Sequence, residues 1–161
     1  DGQGTYTMNY SILNLGTTIT VLQKPAIVVG IDYYNNFNDL TKYDLVAQDF
    51  RNQKQGFVAT TKLGKLEDLS DWKFTMTYSH LERYAAIDYF SQNDWARWDY
   101  SSQGSSDGRL TNFKGFEIET SYAISKKINL KLRLFSIKQI VPFGITKENG
   151  NRIRLDLNIK M

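Results

Sequence analysis

Residues 151–161 read NRIRLDLNIKM, and this closing stretch decides the fold class. Ile153, Leu155, Leu157, Ile159 and Met161 fall on one side of a two-residue repeat, and Arg152, Arg154, Asp156, Asn158 and Lys160 fall on the other. Successive side chains of a pleated strand point to opposite faces, so the repeat describes a strand whose two faces meet different surroundings. A helix would scatter the same residues around its axis. Roughly ten residues is the length of a strand tilted across a bilayer. A greasy face kept intact opposite a charged one predicts a strand of a membrane barrel.

The same repeat recurs seven more times upstream, each time bounded by turn residues. Tyr6, Met8, Tyr10 and Ile12 form a first strand, and Asn14, Leu15 and Gly16 read as a tight turn after it. Ile19 and Val21 alternate with Thr18, Thr20 and Leu22 in a second strand that ends at Lys24 and Pro25. The third holds Ile27, Val29, Ile31 and Tyr33, and the fourth holds Phe57, Ala59, Thr61 and Leu63. Trp72, Phe74, Met76 and Tyr78 make the fifth, and Phe116, Ile118, Thr120 and Tyr122 the sixth. Ile128, Leu130, Leu132 and Leu134 make the seventh, so eight strands are expected. Residues 37–55 read as a long loop with a short helix over 39–50, and residues 90–110, which carry Trp95, Trp98 and Tyr100, as a second one.

Long and short links alternate along the chain. With the C-terminus in the periplasm, the long links at 37–55 and 91–111 and the medium one at 140–150 fall outside, as in transmembrane barrels, and the first link is the only short one on that side. A soluble up-and-down barrel of the lipocalin kind gives no reason for this asymmetry, and its polar face would be the outer one.

Composition agrees with a single domain spanning 1–161, of 18.6 kDa. Mean hydropathy of -0.45 and a hydrophobic fraction of 41% are too polar for spanning helices, and no apolar run of the required length exists. A barrel escapes that objection, because every second residue of its strands faces the lumen. Cysteine is absent, which excludes disulfides and thiolate metal sites. Residues 1–7 are neither basic nor apolar, so an exported protein would be met here in mature or excised form. Ten tyrosines within a 14% aromatic content suit interfacial girdles. Trp72 and Tyr122 are expected at the periplasmic interface, and Tyr33, Tyr78 and Phe113 at the outer one. The net charge of +3 is too small to indicate nucleic acid, and basic and aromatic residues occupy opposite faces.

Residue patterns for chemistry are scarce. Gly104, Ser106 and Gly108 satisfy the spacing of a hydrolase elbow but lie in a polar loop rather than between a strand and a helix. His80 is the single histidine, so no histidine-rich zinc site can form. Asp88, Asp94, Asp99 and Asp107 are spaced too irregularly for an EF-hand, which leaves loop calcium as a weak alternative. No catalytic residue, metal or cofactor is expected.

The constellation that does form is charged. Glu117 and Glu119 lie across a short turn from Lys131 and Arg133, with Arg152, Arg154 and Asp156 on the last strand and Asp32, Lys62 and Lys73 extending the same lumen-facing wall. Opposite charges at that spacing can pair across a ladder. The wall then reads either as a salt-bridge network filling a narrow interior or as a pore lining that biases ion passage.

The stretches KPAIVVGIDYYNN from 24, GFVATTKLGK from 56, DWKFTMTYSHLERYAAIDYFSQNDW from 71 and NFKGFEIETSYAISKKINLKLRLF from 112 resemble the putative porin family of Gram-negative outer membranes. The shared features are a strand ending in Tyr and Asn, a Gly-opened strand ending Gly-Lys, a Trp-led strand, an aspartate-containing loop and a Lys-Gly that opens the next strand. The resemblance runs from about residue 6 to 161, with Tyr84 and Ala85 where the family tends to carry an acidic residue. It implies an antiparallel transmembrane β-barrel in the outer membrane that passes small polar solutes. Because family members are longer, it also implies that these eight strands are either a small closed barrel or the C-terminal half of one with about sixteen. Outer-membrane lipid and small polar solutes are the expected partners, with a homo-oligomer compatible. The other classes left open are a closed barrel anchoring surface loops and a soluble lipocalin-like carrier.

Overall fold

The computed structural model describes residues 9–44, 46–87, 94–96, 110–142 and 145–159. Seven strands alternate along them: β1 (Ile12–Gln23), β2 (Ala26–Asn36), β3 (Gln55–Gly64), β4 (Trp72–Leu81), β5 (Phe113–Ala123), β6 (Ile128–Gln139) and β7 (Asn149–Ile159). They form one sheet in sequence order, every neighbouring pair antiparallel. Each strand is ten to twelve residues long, and no α-helix occurs among the described residues. The sheet is not closed, so β1 and β7 are its edges.

Register turns the two-residue repeats into two faces. Leu132 stands opposite Leu155 and Thr120, and Met76 opposite Ile118 and Thr61, so apolar side chains of successive strands share one face. That face is uncovered: Leu15, Ile19, Trp72, Ile153, Leu155, Leu157 and Ile159 are all more than half exposed. The other face carries the charged residues and is partly covered by the links between strands.

Those links follow the expected asymmetry, short at 24–25, 65–71 and 124–127 and longer at 37–54, 82–112 and 140–148. The described parts of the long links supply most of the core. Ala85, Ala96 and Trp95 pack with Leu81, Phe113, Phe135 and Ile137 at the long-link end of the charged face. A second cluster joins Leu40, Val46 and Phe50 from the β2–β3 link to Tyr84, with the Arg83 guanidinium 4.6 Å from the Phe50 ring centroid.

Three expectations need correction. The turn at Asn14 to Gly16 is strand: the expected first and second strands are the single β1, paired with β2 from Ile12 onward. Gly16 is small for a different reason, since a Cβ there would meet the Asp32 Oδ1 across the ladder at 2.3 Å. Tyr6 and Met8 lie outside the described residues. A register shift between Thr20 and Leu22 then moves Leu22 onto the apolar face, opposite Ile27. The eight strands are thus seven among the described residues. The helix expected over 39–50 is replaced by two 3-10 turns, Leu40–Lys42 and Gln48–Phe50. Leu40 and Val46, six residues apart, would lie on different sides of an α-helix. Asp39 accepts from the Thr41 N–H at 3.1 Å and opens the first turn.

Gly64 closes β3 at φ +78°, where an added Cβ would lie 2.3 Å from the Trp72 carbonyl oxygen. Gly150 on β7 has no atom within 4 Å of that position. Gly64→Ala should therefore lower stability by at least about 1–2 kcal/mol, the left-handed penalty alone, while Gly150→Ala leaves it within about 0.5 kcal/mol. Urea unfolding of the two variants against the parent checks this.

Candidate functional site

The odd positions of β5 and β6 and the even positions of β7 build the charged face. Glu117, Glu119 and Ser121 on β5 stand opposite Phe135, Arg133 and Lys131 on β6, which stand opposite Arg152, Arg154 and Asp156 on β7. Lys73 of β4 joins them opposite Ser121. Glu119 is the first centre, with the Lys73 and Lys131 ammonium nitrogens 3.1 Å and 3.2 Å from its two oxygens. Ser121 Oγ donates to the same carboxylate at 3.2 Å.

The second centre could not be assembled from strand residues alone. Arg133 and Arg154 are directly opposed, and like charges in that position destabilise a ladder. Asp94, from the β4–β5 link, lies between them. It accepts from Arg133 Nη1 at 2.8 Å and from Arg154 Nη1 at 2.8 Å and 2.6 Å, with Arg152 Nη1 at 3.5 Å. Glu117 takes Arg133 Nε, and Asp156 takes Arg154 Nε at 2.7 Å. Trp95 holds the link in place, its ring 5.5 Å from Phe113 and 6.0 Å edge-on to Phe135, and the Arg133 guanidinium lies 4.9 Å from the Phe135 centroid. Chemically, one carboxylate partly neutralises three guanidinium groups on a face that water still reaches. The Arg133 side chain is 13% exposed and that of Arg154 43%, so solvent screens the Arg154 pair more than the Arg133 pair.

Asp32 and Lys62 lie on this face but outside the network. Asp32 stands across from Gly16 and Val58, Lys62 across from Val28 and Thr75, and neither makes an ion pair among the described residues. On the apolar face, Trp72 and Tyr122 are opposed at the short-link end with ring centroids 4.8 Å apart. Tyr33 and Tyr78 sit toward the other end, where Phe57 lies 5.5 Å from Tyr78. Phe113 is the exception among the expected girdle residues. It is buried on the charged face because it has the parity of Glu117 and Glu119, and it serves as Trp95's platform.

Among the loop aspartates, Asp94 has arginines as its partners, and Asp88, Asp99 and Asp107, the other weak calcium candidates, lie outside the described residues. Residues 104–108 also lie outside them. His80 stacks on Phe57 at 6.1 Å on the apolar face. Among the described residues no three His, Asp or Glu side chains gather to hold a metal. The one sequence signal that could have found Asp94 was the surplus of cations among the charged-face positions, which needed a carboxylate from elsewhere.

Burial opposes ionisation of Asp94, but hydrogen bonds and charge from Arg133 and Arg154 outweigh it and hold its carboxyl below the ordinary value of 3.8. A lowered folded pKa means the clamp is at full strength above 3.8 and is lost as pH falls through the lowered value. With Trp72 and Trp98 replaced by Phe, Trp95 emission should shift red in that acid range, and Asp94→Asn should show the shift already at neutral pH. An emission maximum unchanged by pH and by the variant would contradict the clamp.

The sequence matches the family described as Putative porin over residues 6–161. No match was found among curated proteins or solved structures. Because the family match covers essentially the whole chain, the protein belongs to the Putative porin family.

Proposed function

We propose that the sheet is part of a transmembrane barrel in the outer membrane, and that its charged face lines a passage for small polar solutes. The observation that carries this reading is the division of one sheet into an uncovered apolar face and a charged, partly covered one. Water penalises the first arrangement, whereas lipid accommodates it. A lipocalin-like carrier would turn the same apolar residues toward its cavity. The family supports a porin-like role, and with it a channel rather than an enzyme.

An open edge cannot stay unpaired in hydrocarbon, because its N–H and C=O groups find no water. β1 and β7 are separated by six antiparallel steps, so they run in the same direction. Closing them on each other would make a parallel seam. An all-antiparallel barrel requires an odd number of further strands between them, in keeping with the even strand counts of such barrels. One extra strand makes a narrow barrel, and nine make one of about sixteen with room for an aqueous channel.

Within that barrel the passage would meet a dense cluster of wall charge at Asp94 with Arg133, Arg152 and Arg154. The apolar cluster of Leu81, Ala96, Phe113, Phe135 and Ile137 favours a second reading, in which the interior is filled and the barrel anchors its long links. Conductance in a planar bilayer separates the two. For a passage, the parent conducts, and replacing Arg152 and Arg154 by Glu moves its reversal potential toward cation selectivity, since fixed wall charges set the permeation barrier. An inserted protein without conductance would favour the anchor, and a conducting variant with unchanged selectivity would remove these arginines from the pore wall.

A further inference from the structure

Register on the apolar face arranges side chains in rows. Close to the long links one row reads Tyr33, Phe57, His80, Lys114 and Lys138 from β2 to β6. The next row contains Tyr78 and Phe116, and the one beyond it Met76, Ile118, Leu134 and Ile153. Lys114 and Lys138 are thus directly opposed, both exposed, immediately above an apolar surface. Like charges so placed destabilise a ladder unless an anion joins them.

No described protein anion does. Among the described residues neither lysine makes an ion pair or a side-chain hydrogen bond, whereas Lys73 and Lys131 on the other face share Glu119. Glu82, the carboxylate beside this row, accepts from the Gln55 N–H at 2.6 Å and lies 3.9 Å from His80. The opposite end of the apolar face is different. Its corresponding row reads Trp72, Tyr122, Leu130 and Leu157, without a cation.

We propose that Lys114 and Lys138 bind the phosphate headgroup of an anionic lipid in the leaflet on the long-link side, with its acyl chains lying over Phe116, Ile118 and Leu134. This rests on the barrel reading, which puts that apolar surface in hydrocarbon. Tyr33 and Phe57 in the same row mark the headgroup level, where aromatic rings settle. Lysines there extend their ammonium groups toward the phosphate layer while their stems stay on apolar surface. Two adjacent cations facing one phosphate remove the like-charge conflict and select for an anionic headgroup over a zwitterionic one.

The test uses the full chain in phosphatidylcholine nanodiscs doped with phosphatidic acid, with lipids retained by the released protein counted by native mass spectrometry. The parent should retain phosphatidic acid preferentially. Lys114→Gln with Lys138→Gln should weaken that preference about thirtyfold, the scale expected for two lysines at an anionic surface. Lys126→Gln with Lys127→Gln, at the short-link end, should preserve it. Retention unchanged in the first variant overturns the proposal, as does displacement of the lipid by excess inorganic phosphate, which would make the pair a site for a free anion. Protease protection of β7 in the same discs distinguishes the levels: an inserted protein with no lipid preference defeats this inference alone, and one that does not insert defeats the barrel reading beneath it.

Discussion

Register is the constraint on which the rest of the structure depends. Side chains alternate with a period of two, so a slip of one residue in any ladder would carry an entire apolar set to the other face. On β7 the slip would exchange Ile153, Leu155 and Leu157 for Arg152, Arg154 and Asp156. In the proposed bilayer each arginine so displaced would cost about 2–4 kcal/mol at the midplane. The same register aligns Arg133 with Arg154 and Lys114 with Lys138. One rule of geometry therefore makes both the apolar face and the two places where cations crowd each other.

The two crowded places are resolved differently. On the charged face the β4–β5 link supplies Asp94, anchored by Trp95 against Phe113 and Phe135, so chain from outside the sheet completes the electrostatics. On the apolar face no described carboxylate pairs with Lys114 or Lys138, and the proposed counter-charge comes from the lipid that face would meet. The network is uneven: Arg133 is nearly buried and held by Glu117 and Asp94, whereas Arg152 and Arg154 remain about 40% exposed and screened.

Most of the sheet was legible because alternation is a local property. The repeats containing Ile27, Phe57, Trp72, Phe116, Ile128 and Ile153 all lie within strands, and parity alone brings the ten charged positions onto one face. Gly16 misled because a small residue serves a turn and a close cross-strand approach equally well, and only the presence of Asp32 opposite it distinguishes them. Phe113 shares the readable parity of Glu117, and that parity overrides the preference of a ring for the headgroup level. Asp94 is only hinted at by the surplus of cations, for a deeper reason. Its position depends on how a long link folds back onto the sheet, which no periodicity encodes.

The central claim is that the uncovered face meets lipid and the charged face does not. Single cysteines at positions 153, 155 and 157, and separately at 154 and 156, reacted with a membrane-confined thiol probe in vesicles, test it most directly. The account predicts labelling of the three odd positions and protection of the two even ones, a period of two along β7. Equal labelling of both sets, or labelling of neither in vesicle-bound protein, would contradict it.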